Sequence, residues 1–551
     1  MERATAGHDG ARLTGEEASQ RDLASTEVTP AVAYALSLAF VAAIALVPIT
    51  QAVVDVYGGG PVQALQLFST PPTARSLHAF EDAVARQSWL RRAVQPRLQL
   101  ALTRWFGVGN DTVIVGRDGW LFYQPGVDYA AGPGFLDEAY LSARAARMAE
   151  REGVPYPQPN PLPALLALQR AVARTGGRLV IVPLPDKAMR HGDRLATRLG
   201  SADAPPNNPD YPRLVAMLRE AGADVFEPPP LTFLAQDTHW TPASMQSAAT
   251  ALAAFLRPLI VDARAADWQV RPARVSRVGD LVDMLQLPPG QTTFRPETVM
   301  VERVVDAAGH AWRPDVAGDV LLLGDSFTNI YSAPQMGWGD SAGFAEHLSY
   351  ALGRPVDVVA RNGGAASLLS TELTGPGMAT RLAAKRVVVF AFAVRELAGR
   401  HWAVPDLSAV TPPGPVAATQ AASTPASAQP APPGPTATQG ANRLTIEGTI
   451  QQVSTVPDPD SAPYASCVSM YKVRVDRVVE GRYGGREIVA GMLVMSERRL
   501  LPPARYVPGN RVRLELIPFD EAGRDVRSLQ RSDDLQDFTT PAYWTIAGER
   551  R

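Results

Sequence analysis

The chain has 551 residues, 46% hydrophobic and 20% charged, with a net charge of -2, which is globular material long enough for two or more domains. The near-neutral balance, with no basic tail or patch, gives no reason to expect nucleic acid as a partner. A single cysteine, Cys467, excludes an intramolecular disulfide and a cysteine-type zinc cluster.

Residues 1–30 are polar, with mixed charge at Arg3, Arg12, Glu16, Glu17 and Arg21, and are predicted to be a disordered tail. No charged residue occurs from Val28 to Val54, and the run Ala31 to Ile49 is apolar enough and long enough to cross a hydrocarbon core of ~30 Å. Residues 31–54 are therefore predicted to be a transmembrane anchor. The long polar lead favours an uncleaved anchor over a signal peptide, and the lack of a polar face argues against a buried core helix. Arginines precede the run and the next basic residue after it is Arg75, so the positive-inside rule puts the N-terminus in the cytoplasm and the bulk of the chain outside.

Residues 55–403 are predicted to be one α/β domain. Near its start Asp118-Gly119 separates Thr112–Val115 from Trp120–Tyr123, the pattern of a hairpin. Helical periodicity then fits Leu141–Glu150, Leu162–Thr175, Tyr211–Ala221, Pro242–Leu256 and Ala342–Leu352. Short apolar runs fit strands at Arg178–Val182, Asp224–Phe226, Asp319–Leu323, Val356–Ala360 and Arg386–Phe392. That alternation predicts a parallel sheet covered on both faces, with its site at the carboxyl ends of the strands. Residues 404–442 are rich in Pro, Ala, Thr, Gln and Ser and read as a flexible linker. Residues 443–551 read as a small β domain, with strands at Leu444–Val453, Val468–Val479, Arg486–Ser496 and Arg511–Ile517. An OB-like barrel fits them, with a sandwich as the alternative. Tyr464, Tyr471, Tyr506, Tyr543 and Trp544 are either sugar-stacking or core residues.

Two short stretches carry chemistry. Asp237-Thr-His239-Trp240 precedes a helix start at Thr241-Pro242, and Gly324-Asp325-Ser326-Phe327 directly follows Val320–Leu323. A serine hydroxyl becomes a nucleophile when an imidazole takes its proton and a carboxylate orients that imidazole. Ser326, His239 and Asp237 supply these three roles, which together suit acyl transfer. Asn362, with Gly363 and Gly364 after it, offers an amide and approachable backbone N–H groups to an oxyanion. Each residue also has a plainer role open to it. Asp237 can cap the following helix, Asp325 can hold the serine turn, and Trp240 can pack behind His239. Lys187 can line the site or be structural, and Arg395 can bind a polyanionic sugar or pair with Glu396.

Four stretches in this order, Gly116–Phe122 (Gly-X-Asp-Gly-Trp-Leu-Phe), Pro185–Lys187 (Pro-X-Lys), Asp237–Trp240 and Gly324–Phe327, resemble the SGNH hydrolase superfamily, and within it the AlgJ/AlgX-like alginate O-acetyltransferase branch. The resemblance covers roughly residues 110–400. Ordinary SGNH esterases carry the serine block first and the histidine block last, so the reversed order here favours the acetyltransferase branch. The resemblance implies an SGNH-like three-layer domain with Ser326 as nucleophile, His239 as general base and acid, and Asp237 as its orienting residue. The Ser326 N–H and Asn362 would form the oxyanion hole, Gly363, Lys187 and Arg395 being further candidates for oxyanion or substrate contact. The usual SGNH glycine block has no matching position. The implied function is that of a membrane-anchored enzyme moving acetyl groups onto an alginate-like exopolysaccharide through an acetyl-serine. It implies no metal or cofactor, a membrane-bound O-acyltransferase as acetyl supplier, and a single-pass protein of the bacterial inner membrane with periplasmic main domains. An extracytoplasmic carbohydrate esterase and a non-catalytic polysaccharide-export scaffold are the alternatives.

Overall fold

The computed structural model describes residues 29–57, 62–66, 73, 77, 80, 81, 84, 88–150, 154–196, 206–260, 267–375, 377–412, 443–454, 456, 466–496, 499–522, 526, 529–532, 535 and 540–550. All but the last two residues of the predicted tail, most of the predicted linker and Tyr464 lie outside the described residues. The chain divides into two compact units, Met1–Gln95 and Pro96–Arg551.

The first unit is dominated by helix α1, Pro30–Tyr57. Among the described residues it is the one helix long and apolar enough to cross a membrane, judged by length and composition. At 1.5 Å per residue it extends ~42 Å, and most of its large apolar side chains lie outside any core of this chain. Helix α2, Trp89–Phe106, begins in this unit. Its first residue is held by α1, where the Trp89 indole donates to Thr50 Oγ1 at 3.0 Å and the Trp89 N–H to Gln51 Oε1 at 2.8 Å.

In the second unit the predicted hairpin is present. Strands β1 (Val113–Val115) and β2 (Leu121–Tyr123) pair antiparallel. Asp118 and Gly119 both take positive φ, 54° and 79°, the left-handed pair that an Asp-Gly turn supplies at low cost. Chain order then runs through helices α3 (Glu138–Glu150) and α4 (Leu162–Arg174), strand β3 (Arg178–Leu184), helices α5 (Lys187–Arg190) and α6 (Tyr211–Glu220), β4 (Asp224–Val225) and α7 (Pro242–Leu256). Next come β5 (Gln269–Arg277), α8 (Asp280–Met284), β6 (Glu297–Val305), β7 (Val320–Gly324), α9 (Ser326–Asn329), α10 (Phe344–Leu352), β8 (Asp357–Ala360), α11 (Ala365–Thr371) and β9 (Val387–Ala393). The predicted helices and strands of this domain are all found, apart from a few residues at their ends. The sequence did not reveal the antiparallel pair β5–β6 or the α8 turn inserted between its strands.

Five strands form the expected parallel sheet in the order β4-β3-β9-β7-β8. Its strands alternate between two cores. In β9, Val388, Phe390 and Phe392 join a core with α4, α6 and α11, whereas Val387, Val389, Ala391 and Ala393 join one with α7 and α10. Both faces are therefore covered, giving a three-layer α/β domain. That explains why these strands read as unbroken apolar runs rather than as alternating ones.

The C-terminal strands are β10 (Leu444–Val453), β11 (Cys467–Glu480), β12 (Glu487–Ser496), β13 (Arg499–Leu500), β14 (Arg511–Pro518), β15 (Gln530–Ser532) and β16 (Ala542–Arg550). β10, β11, β12, β16 and β14 close on themselves as a five-stranded barrel, so the sandwich alternative is excluded. Its closing strand, β16, was not among the predicted ones. Tyr471 and Tyr506 are buried in the barrel core, not presented for sugar stacking, and Trp544 packs on Phe519. Strand β15, which pairs with β11 of the barrel, touches the α/β domain directly. The Arg531 guanidinium donates to Glu372 Oε1 at 2.6 Å, and Arg361, which follows β8, donates to the Arg531 carbonyl.

Leu322 lies in the middle of β7, fully buried. Leu322→Ala is expected to destabilise the α/β domain by about 2–5 kcal/mol through lost burial and the cavity left behind. Urea unfolding followed by circular dichroism would measure it.

Candidate active site

The site is assembled at the carboxyl ends of β7, β8 and β9, where α/β sheets place theirs. β7 ends at Gly324 and the chain turns at once into α9. A Cβ on Gly324 would lie 2.0 Å from Thr328 Oγ1, so glycine is required for the serine turn to fold back this tightly. Asp325 holds that turn with both carboxylate oxygens. Oδ1 accepts from the Phe327 N–H at 2.9 Å and Oδ2 from the Ala393 N–H of β9 at 2.8 Å. Burial pushes its carboxyl up, against those N–H bonds and the charge of Arg395. Asp325 thus takes the structural role.

Ser326 is the first residue of α9, so its backbone N–H has no acceptor within the helical turn. Its Oγ lies 2.8 Å from His239 Nε2, and His239 Nδ1 lies 2.7 Å from Asp237 Oδ1. Asp237 Oδ1 also accepts the His239 N–H at 3.1 Å. Its second oxygen, Oδ2, accepts the Trp338 indole N–H at 2.8 Å and the Asp280 N–H at 3.0 Å. Burial alone would push the Asp237 carboxyl up. The hydrogen bond and charge of His239, with the N–H donors of Asp280 and Trp338, overcome this and hold it well below the usual carboxylate range. Two donors from different segments therefore fix the carboxylate so that Oδ1 faces the imidazole.

The loop that carries Asp237 and His239 is pinned at both ends. Phe233 and Trp240 pair across it, the Leu234 N–H donates to the His239 carbonyl at 3.1 Å, and Thr241 caps α7 by accepting from the Ser244 N–H. Trp240 is buried against Phe327 and Phe344, which is the packing role its position suggested. Glu297, at the start of β6, accepts the Ala235 and Gln236 N–H groups at 2.9 and 2.7 Å.

Lys187 is corrected by its position. It stands among the substrate-contact candidates, yet only 1% of it is exposed. Its ammonium donates to the carbonyls of Leu121 (2.6 Å), Ala235 (2.7 Å) and Asp237 (3.1 Å) and lies over the Trp120 and Phe122 rings. Burial pushes it down to about 7, against the charges of Asp237, Asp280, Glu297 and Asp186. Arg395 is corrected in its partner. It pairs with Asp186 at 2.8 Å, while Glu396 pairs with Arg400. Its guanidinium lies over the rings of Tyr123 and Phe327. These two cations support the motif loops.

Asn362 and Gly363 follow β8. The Asn362 Oδ1 accepts from Asn329 Nδ2 at 2.8 Å, and its Nδ2 lies 3.1 Å from Met336 Sδ, so its amide is oriented from the far end of the serine turn. Gly363 is exposed, at a φ of 63°.

Asp280, Trp338, Asn329 and Thr238 went unrecognised in the sequence. Asp280 Oδ1 and Oδ2 accept the Thr238 N–H (2.8 Å) and hydroxyl (2.6 Å), and Oδ2 lies 3.7 Å from His239 Nδ1. Trp338, in Met-Gly-Trp-Gly-Asp340, offered only a buried-type aromatic, and Asp280 only an ordinary helix-start acid. Asp237, His239 and Asp280 lie close enough to share a metal ion. The atoms facing Asp237, however, are N–H donors from Trp338, Asp280 and His239, which suit an ionised carboxylate and would have to be displaced by a cation.

Burial and the neighbouring charge of Asp237 push the Asp280 carboxyl up to about 6. Between about pH 4, the ordinary range of an aspartate, and that value, the native protein keeps a proton that the unfolded chain has released. Through this group stability therefore falls as pH rises across the window. Asp280→Asn removes that slope. Its unfolding free energy relative to the parent is expected to climb from pH 4 to 6 and then level off, as read from urea titrations across the range; a difference constant with pH would contradict the assignment.

Residues 113–389, about half of the chain, match the family model described as the SGNH hydrolase-like domain of acetyltransferase AlgX. The "Probable alginate O-acetylase AlgJ" of Pseudomonas aeruginosa is 26% identical over 250 residues, covering 42% of this chain and 56% of that protein. This chain thus spans little more than half the length of that curated relative. Among solved structures, the O-acetyltransferase domain of Pseudomonas putida AlgJ is 23% identical, with 54% of this chain and 94% of that one covered and a TM-score of 0.36. Pseudomonas aeruginosa AlgX is 15% identical, with 62% and 72% covered and a TM-score of 0.35. With the family model covering residues 113–389, which include Asp237–Trp240 and Gly324–Phe327, the chain belongs to the AlgX family of SGNH hydrolase-like acetyltransferase domains.

Proposed function

We propose that this protein transfers acetyl groups to hydroxyls of an acidic exopolysaccharide of the alginate class through an acetyl-Ser326 intermediate. The observation that carries this reading is the continuous hydrogen-bonded chain Ser326–His239–Asp237 within a family of acetyltransferase domains. In the first half-reaction His239 Nε2 takes the Ser326 Oγ proton as Oγ bonds to the acetyl carbon of the donor. The donor's C–O bond breaks, and the same imidazole returns the proton to the departing oxygen. In the second, His239 takes the proton of a sugar hydroxyl, whose oxygen attacks the acetyl-serine, and returns it to Ser326 as the ester bond breaks. Asp237 keeps the Nδ1 proton in place and stabilises the imidazolium formed in each half. The Ser326 N–H and the Asn362 amide are the oxyanion donors in this reading.

The apolar helix α1 supports a single-pass anchor, with the preceding arginines favouring a cytoplasmic N-terminus and periplasmic main domains. An acetyl donor made in the cytoplasm then needs a membrane-bound acyltransferase to carry the group across. The C-terminal barrel, for which we keep the OB type, serves as a second weak contact to the polymer. Held close to the site, such a contact raises the local concentration of acceptor chain.

Ser326→Ala is expected to lower acetyl transfer at least ~10⁴-fold while leaving the fold intact. The measurement is purified full-length protein with an acetyl ester donor, in the presence and absence of an acidic oligosaccharide. Acetylated sugar lost in the variant supports transfer. Free acetate with no acetylated sugar would make it an esterase, and equal exopolysaccharide acetylation in cells carrying Ser326→Ala would leave a non-catalytic export scaffold.

A further inference from the structure

Helix α2 is built the wrong way round for a helix in water. Its buried residues are Gln99 and Thr103, 9% and 5% exposed. The Gln99 amide donates to Thr103 Oγ1 and to the carbonyls of Val108 and Gly109 at 3.0–3.1 Å, and the Thr103 hydroxyl to the Val108 carbonyl at 2.9 Å. Most of its large apolar residues face outward, while Trp89, Leu100 and Leu102 are half-buried. Leu90, Val94, Leu98 and Trp105 recur at helical spacing on the exposed side, and Phe106 and Val108 continue the patch past the helix end. Leu98, Trp105 and Phe106 are 54%, 73% and 72% exposed. Stable exposure of so many large apolar groups in one strip marks a surface that is covered in use.

Charge and chain continuity identify the cover. The helix carries Arg91, Arg92, Arg97 and Arg104 and no acidic residue, so its partner surface is anionic. Its first residue, Trp89, is bonded through its indole and its N–H to Thr50 and Gln51, the two polar residues that directly follow the apolar run Ala31–Ile49 of α1. The start of α2 is thereby fixed at the level where that run ends. Tryptophan at the boundary of an apolar segment, followed by arginines interleaved with Leu, Val, Trp and Phe, is the composition of a helix lying in a bilayer interface.

We propose that helix Trp89–Phe106 lies in the headgroup layer of an anionic membrane, with Leu98, Trp105 and Phe106 in the acyl boundary and Arg97 and Arg104 against lipid phosphates. This rests on the reading of α1 as a membrane anchor, and the test separates the two. Full-length protein in which Cys467, a buried residue, is replaced by alanine receives one new cysteine, Leu98→Cys or Phe40→Cys, labelled with an environment-sensitive fluorophore. Each is inserted into vesicles of phosphatidylcholine alone or of equal parts phosphatidylcholine and phosphatidylglycerol, with or without lipids spin-labelled near the headgroup or deep in the chain.

The Phe40 label is expected to be quenched by the deep spin label, and the Leu98 label to shift to shorter wavelength and be quenched by the shallow one, more strongly with phosphatidylglycerol. Arg97→Gln and Arg104→Gln are each expected to weaken the surface equilibrium about fivefold, read as loss of the phosphatidylglycerol effect. A quenched Phe40 label with a Leu98 label in water overturns the interfacial helix and leaves the anchor standing. Two unquenched labels overturn both. A Leu98 label that shifts without lipid quenching means that protein covers the strip, and also overturns the proposal.

Discussion

A buried ammonium holds the second unit's chemistry in place. Lys187 sends its three N–H groups to carbonyls of β2 and of the loop that bears Asp237. None of its partners is a carboxylate, so the charge is matched by peptide dipoles rather than by an ion pair. A cation taken out of water is costly. Three carbonyls, the Trp120 and Phe122 rings and the surrounding carboxylates offset part of that cost, and burial still pushes the ammonium down to about 7. The Gly-X-Asp-Gly-Trp-Leu-Phe, Pro-X-Lys and Asp-X-His-Trp stretches are far apart in the chain. They meet around one nitrogen, and the fourth stretch is drawn in when His239 reaches Ser326.

Orientation is supplied in pairs. Asp325 ties the serine turn to β9 with its two oxygens, Asp237 divides its two between the imidazole and the Trp338 and Asp280 donors, and Glu297 uses its two on successive N–H groups of one loop. A bidentate carboxylate constrains direction as well as distance. Three such groups bracket a histidine whose ring lies in register with a hydroxyl, which is preorganisation carried out by two buried aspartates and a half-buried glutamate rather than by substrate.

Much of this was readable from residues alone, for identifiable reasons. A parallel sheet covered on both faces has to be written in unbroken apolar runs, so β3, β7 and β9 declared themselves, and Ser326 and His239 lay beside recognisable strand and helix boundaries. What escaped was set by tertiary contact. Strand β5 reads Gln-Val-Arg-Pro-Ala-Arg-Val-Ser-Arg and is largely exposed, so its burial pattern gave no strong signal. Asp280 gains its role only because that insertion folds over Asp237. Arg395 sits beside Glu396 in sequence but pairs with Asp186, 209 positions away, because main-chain geometry after β9 points neighbouring side chains apart. β16 closes the barrel from a polar, aromatic stretch whose strand character comes from its two neighbours.

The contact between barrel and α/β domain has a thermodynamic meaning. Arg361 bonds to the Arg531 carbonyl, to Thr371 at 2.8 Å and through its own N–H to the Gly324 carbonyl at the end of β7, and the next residue is Asn362. The loop thus touches both the α/β sheet and the C-terminal strands. By reciprocity, any ligand whose binding to the barrel alters that bond shifts the energy of the Asn362 loop, and any change in that loop during turnover alters the barrel's affinity by the same factor. If the proposed function holds, with polymer gripped by the barrel and acetylated at Ser326, grip and chemistry share one equilibrium.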